Sequence, residues 1–65
     1  MKGYGKQVRK ILEDNGCVFV RHGRGDHDVW TSPHAQKPFT VPVKIMSRHT
    51  ANNVLKDAGL TARIR

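Results

Sequence analysis

A single cysteine, Cys17, leaves the chain without a partner for an intramolecular disulfide. That fits a reducing compartment, and the cytoplasm is the expected location. No apolar run approaches the ~20 residues of a membrane span, so no membrane partner is expected. No apolar h-region follows Met1-Lys2, so no secretory leader is expected either. Repeats, low-complexity tracts and interdomain linkers are also missing. The 65 residues make one expected domain, 1–65. A chain of this size buries only about 60% of its unfolded surface. A deep, enclosed substrate cavity is therefore excluded, and an enzyme this small has to work on an exposed polymer.

Negative charge is scarce too: 5 Asp and Glu stand against 12 Lys and Arg, a formal net charge of +7. So large an excess on so short a chain goes beyond the needs of solubility. It points to a polyanionic partner, nucleic acid foremost, drawn in by steering and counterion release.

Hydrophobic spacing gives the element order. Tyr4, Val8, Ile11 and Leu12 fall at i, i+4, i+7 and i+8, the stripe of an amphipathic helix. Asn15-Gly16 stops it. Cys17 to His22 is β-branched and aromatic and reads as a strand. His22-Gly23-Arg24-Gly25 is a turn, and Asp26 to Ser32 closes a hairpin. Phe39 to Val43 reads as a third strand, which Pro42 confines to an edge or ends. Ala51, Val54, Leu55 and Ala58 restore helical spacing, with Ser47 or Thr50 as N-cap. Gly59 and Leu60 fit a Schellman ending. The resulting α+β order is α-β-β-β-α. The simplest packing that buries both stripes is a three-stranded antiparallel sheet with two helices on one face. The other sheet face is then left partly open.

The segment Gly25-Asp26-His27-Asp28-Val29-Trp30 sets an imidazole just past a glycine turn, at the start of a strand. An imidazole exchanges protons near neutral pH with little tuning. Strand alternation puts His27, Val29 and Thr31 on one face and Asp28 and Trp30 on the other. Asp26, at the strand's start, is within bending reach of the ring. By these residues alone His27 is either a proton-transfer group or an exposed strand histidine. Arg21, Arg24, Lys37, Lys44 and Arg48 lie in or near turns and strand ends, as phosphate contacts or solvated charges. Arg24, beside His27, is the first choice for a phosphate clamp. Trp30 suits packing better than base stacking, and Cys17 suits burial. His22, His34 and His49, even with Cys17 and Asp28, match no compact zinc pattern, so no metal or other cofactor is expected.

The order and length are those of a double-stranded-RNA-binding-like fold. The ordered motifs are narrower. A helix is followed by Asn15-Gly16, a strand ending in Val20-Arg21, Gly25-x-His27 with an aromatic three residues on, Thr40-Val41-Pro42, and Leu55-Lys56-x-Ala58-Gly59-Leu60. This set, from Lys6 to Leu60, resembles the HicA toxin family. The resemblance implies a small mRNA-cleaving toxin of a type II toxin–antitoxin module, held in check by a HicB-type antitoxin. It also implies that His27 occupies the place of the family's catalytic histidine. Asp26 stands where the family usually has serine, and Val43 to His49 lacks the common His-Pro-Gly pattern.

The expected activity is thus metal-independent endoribonucleolytic cleavage of mRNA, with Arg21, Arg24, Lys37, Lys44 and Arg48 holding RNA. The principal alternative is a non-catalytic RNA-binding module of the same fold. A third possibility is an interaction protein whose basic face binds an acidic partner.

Overall fold

The computed structural model describes residues 3–65; Met1 and Lys2, where the N-terminal reading begins, lie outside them. Helix α1 spans Gly5–Asp14, strands β1, β2 and β3 span Val18–His22, His27–Thr31 and Phe39–Pro42, and helix α2 spans Arg48–Asp57. The strands form one antiparallel sheet in the order β1-β2-β3. The α-β-β-β-α order and three-stranded sheet are those read from the sequence.

Both helices end in the same backbone device. After α1, Cys17 N–H donates to the Leu12 carbonyl and Gly16 N–H to that of Glu13, at 2.9 and 3.1 Å. After α2, Leu60 N–H reaches the Leu55 carbonyl at 3.0 Å and Gly59 N–H that of Lys56 at 2.9 Å. These are Schellman pairs, which satisfy carbonyls that a helix leaves orphaned. In each, the residue beyond the turn (Cys17, Leu60) enters the core with its helical partner (Leu12, Leu55). At the other end of α2, the Ser47 hydroxyl accepts from Thr50 N–H at 3.2 Å, so Ser47 is the N-cap.

The core lies between the helices and one face of β2 and β3. Val8 and Leu12 from α1 and Ala51, Val54 and Leu55 from α2 meet Trp30, Phe39 and Val41, with Ile45 and Ile64 closing the ends. Tyr4 and Ile11 pack at its rim. Trp30 is 3% exposed, so it packs, and no base can stack on it. Cys17 is a buried free thiol.

β1 overhangs this core. All five of its residues are exposed, and Val18, Phe19 and Val20 together leave an apolar stretch on the outer edge. β3 is the opposite edge, where Pro42 falls. The β1–β2 register shifts between Phe19 and Arg21, so Val20 is a bulge. Phe19 therefore pairs with Trp30, but Arg21 pairs with Val29 and His22 with Asp28.

Among the described residues, no helix is long and apolar enough to cross a membrane.

Candidate nucleic-acid interface

Strand alternation splits the sheet into two surfaces. Asp28, Trp30, Phe39 and Val41 turn toward the helices, and His27, Val29, Thr31 and Thr40 turn to the open face. His27 is exposed at the start of β2, opposite Pro42 on β3. On its other flank the hairpin continues the register with Gly23, whose N–H donates to the His27 carbonyl at 2.7 Å. His27 N–H in turn reaches the Arg24 carbonyl at 3.2 Å. The backbone of this residue is thus fixed on both sides, and its neighbours across the sheet are a glycine and a proline. Neither neighbour carries a hydrogen-bonding side chain. Among the described residues, no hydrogen bond or ion pair engages the His27 ring. Asp26 is tied in by its main chain, its carbonyl accepting from Val43 N–H at 2.6 Å, and its carboxylate forms no ion pair with His27 among these residues.

The hairpin turn is open to solvent. Gly25 has φ +57°, and a Cβ built there would meet nothing within 4 Å. Arg24 is exposed in the same turn. Arg21 is exposed on the open face opposite Val29, which makes it a diagonal neighbour of His27 at a usual spacing of about 7–8 Å. Lys44 follows β3 at the same end. Arg48 opens α2 there as well, because the far end of α2 is pinned elsewhere: the Ser32 hydroxyl donates to the Ala58 carbonyl at 2.7 Å. Lys37 lies in the β2–β3 connection, at the opposite end of the sheet. The structure therefore gathers Arg21, Arg24, Lys44 and Arg48 toward the His27 end and leaves Lys37 apart.

The sequence reading passed over two further cations at that end. They are Lys6 and Arg9, both on α1. The start of α1 is docked against the segment after β3, with Tyr4 N–H donating to the Ile45 carbonyl at 2.6 Å. Arg9 is half-buried, and its Nη2 donates to the Val43 carbonyl at 3.2 Å. Its Nη1 is buried without an acceptor among the described residues. Lys6, Arg9, Val43 and Lys44 line part of an open groove of about 770 Å³ beside this contact. Only tertiary docking brings α1 and β3 together, so no local pattern could have flagged it.

Of the other histidines, His34 lies in the β2–β3 connection with its Nε2 3.2 Å from the Asn15 carbonyl, and His49 lies in α2. His22, at the end of β1, directs its Nδ1 to Asp28 Oδ1 at 2.9 Å. The sequence reading placed no role on that pair.

The arrangement can hold a phosphodiester chain along a cationic sheet end, with the His27 imidazole exposed beside it. Comparison with curated proteins finds no match, and comparison with solved structures finds none. The family model described as HicA toxin of bacterial toxin–antitoxin matches residues 5–60 of the 65. That span runs from the first turn of α1 through the Schellman ending of α2 and includes the whole sheet, and so the chain belongs to the HicA toxin family of bacterial toxin–antitoxin systems.

Proposed function

We propose that the chain, as a single domain over 1–65, is an endoribonuclease that cleaves mRNA without a metal, with His27 as a proton-transfer residue. The observation that supports this most is the exposed His27 ring on the open sheet face. It is held by a doubly bonded backbone between Gly23 and Pro42, at the end of the molecule where Arg21, Arg24, Lys44 and Arg48 collect. RNA carries its own nucleophile. His27 takes the proton of the 2′-hydroxyl, the 2′-oxygen bonds to phosphorus, and the bond to the 5′-oxygen breaks. The products are a 2′,3′-cyclic phosphate and a 5′-hydroxyl. The cations hold the backbone in register and offset charge that builds on the phosphoryl oxygens.

In this reading the substrate is mRNA, and the controlling partner is a HicB-type antitoxin that covers the His27 end. The net charge of +7 favours an acidic face on that partner and a fast encounter with it. Membership of a toxin–antitoxin family agrees with a partner of this kind.

The test is induction of His27→Ala beside the unaltered chain in a bacterium, with growth and transcript integrity as readouts. Growth arrest and transcript cleavage should disappear in the variant while RNA binding survives. An exposed substitution of this kind should shift stability by no more than about 0.5 kcal/mol. Full toxicity of His27→Ala would sink the assignment. Purified protein should also cut RNA in excess EDTA and spare a substrate with a 2′-deoxy group at the cut position.

A further inference from the structure

Cleavage of this kind needs a second proton transfer, to the 5′-oxygen that leaves, and His27 alone does not account for it. We propose that His22, oriented by Asp28, is the general acid that protonates the leaving oxygen, with Arg24 holding the phosphate between the two histidines. The proposal rests on the RNA-cleaving reading above.

His22 is the histidine of this chain built as an oriented proton donor. Its Nδ1–H donates to Asp28 Oδ1 at 2.9 Å. The accepting carboxylate fixes Nδ1 as the protonated nitrogen and leaves Nε2 to exchange a proton with whatever arrives. The exposures are complementary: the His22 side chain is 86% exposed and that of Asp28 only 14%. The carboxylate is thus sheltered against the sheet while the ring it holds stands in solvent. The Phe19 ring supports the imidazole from a second direction, edge-on, with centroids 5.3 Å apart. Among the described residues, His27 has no such support. An acid that must deliver its proton along one line gains from being held. A base that accepts from a hydroxyl already carried in by bound RNA needs it less.

The pairing depends on the bulge. Continued from Phe19–Trp30 without a shift, the register would set Arg21 across from Asp28 and His22 across from His27. With Val20 bulged, His22 faces Asp28 instead. His22 therefore projects from the helix side of the hairpin and His27 from the open side, and both stand at the base of the same turn, residues 23–26. In an in-line displacement the attacking and leaving oxygens lie on opposite sides of phosphorus. Base and acid must then approach from opposite sides. In the proposal the phosphate lies across the tip, with His27 reaching it from the open face and His22 from the helix side. The tip leaves room at Gly25, where a Cβ would meet nothing within 4 Å, and Arg24 stands beside it; the Cβ position of Gly23, by contrast, is closed by the His27 carbonyl at 2.9 Å. The proton on His22 Nε2 goes to the 5′-oxygen as the P–O5′ bond breaks. The proton of the 2′-hydroxyl goes to His27. Exchange with water restores both rings.

A sulfur leaving group separates the two roles, because a thiolate departs without protonation. The substrates are two short RNAs spanning a cleavage position mapped on a transcript, one with the natural 5′-oxygen and one with a bridging 5′-sulfur there. His22→Ala and His22→Gln should cut the oxygen substrate about 100-fold more slowly or worse. Both should return to within a few-fold of the unaltered protein on the sulfur substrate. Asp28→Asn should show a smaller loss with the same recovery, the mark of a positioning residue that acts through His22. His27→Ala should stay inactive on both substrates. Circular dichroism and thermal melting of each variant check the fold.

An unchanged rate for both His22 variants on the oxygen substrate would overturn the proposal, and so would equal losses on the two substrates. If that occurs while His27→Ala is inactive, the proposed function stands and only the role of His22 falls. Full activity in His27→Ala, or no RNA cleavage by the unaltered protein, would remove the underlying reading itself.

Discussion

A side chain at Gly59 has nowhere to go. Its φ is +77°, and a Cβ there would collide with the carbonyl group of His34. Left-handed strain alone costs of order 1–3 kcal/mol, and the collision forces the β2–β3 connection away from the end of α2. Gly25 gives the contrasting case: its φ is also positive, but the space around it is empty. Gly59→Ala should therefore cost more than about 2 kcal/mol in urea unfolding, and Gly25→Ala only about 1. Similar losses for the two would argue that the His34 contact is not what matters. Ser32 pins the same corner, donating to the Ala58 carbonyl and accepting from His34 N–H at 3.0 Å. Its loss to Ala strands the buried Ala58 carbonyl and frees the His34 N–H, and should cost about 1–3 kcal/mol by the same measurement. Gly59 was legible in the sequence because a helix stop is a local signal. Ser32 was not, since nothing near it announces a carbonyl 26 residues away. The candidate site divides in the same way. The place of His27 on the open face follows from strand alternation. The His22–Asp28 pair follows from a one-residue bulge at Val20, which alternation cannot see.

The helices owe their limits to their ends as much as to their stripes. Ser47 caps α2 through Thr50 N–H, and Ser47→Ala should destabilise the protein by about 1 kcal/mol, read from the shift of the urea midpoint at constant slope. No change would mean that water replaces the cap without cost. The stripes of α1 and α2, the stop at Asn15-Gly16, the Schellman ending of α2 and the hairpin were readable because each depends on residues within a turn or two. The strands are shorter than their apolar runs suggest: β1 starts at Val18 and β2 at His27, because Cys17 completes a helix ending and Asp26 still belongs to the turn. The docking of Arg9 onto Val43 joins residues 34 apart, and only the folded sheet brings them together.

The whole molecule is a cation whose charge is unevenly placed. RNA affinity should fall linearly with salt on logarithmic axes, with a slope of about −0.7 per phosphate neutralised on a single strand. Arg24→Ala should make that slope shallower by about one such step. Lys37→Ala, at the far end of the sheet, should change affinity and slope less than Arg24→Ala does. Equal effects would mean that RNA runs the full length of the open face. The sheet itself is asymmetric as well. β2 is bonded on both sides, whereas β1 is bonded on one side only, lies outside the core and is broken at Val20. In time rather than in space, the outer strand is the part that opens first, and its amides should exchange with deuterium well before those of β2. On that expectation His27 rides on the more protected strand and His22 on the one that opens more often. Each opening parts the imidazole from its carboxylate, so with His22 as the proposed acid the rate of cleavage is tied to how often one poorly held strand closes.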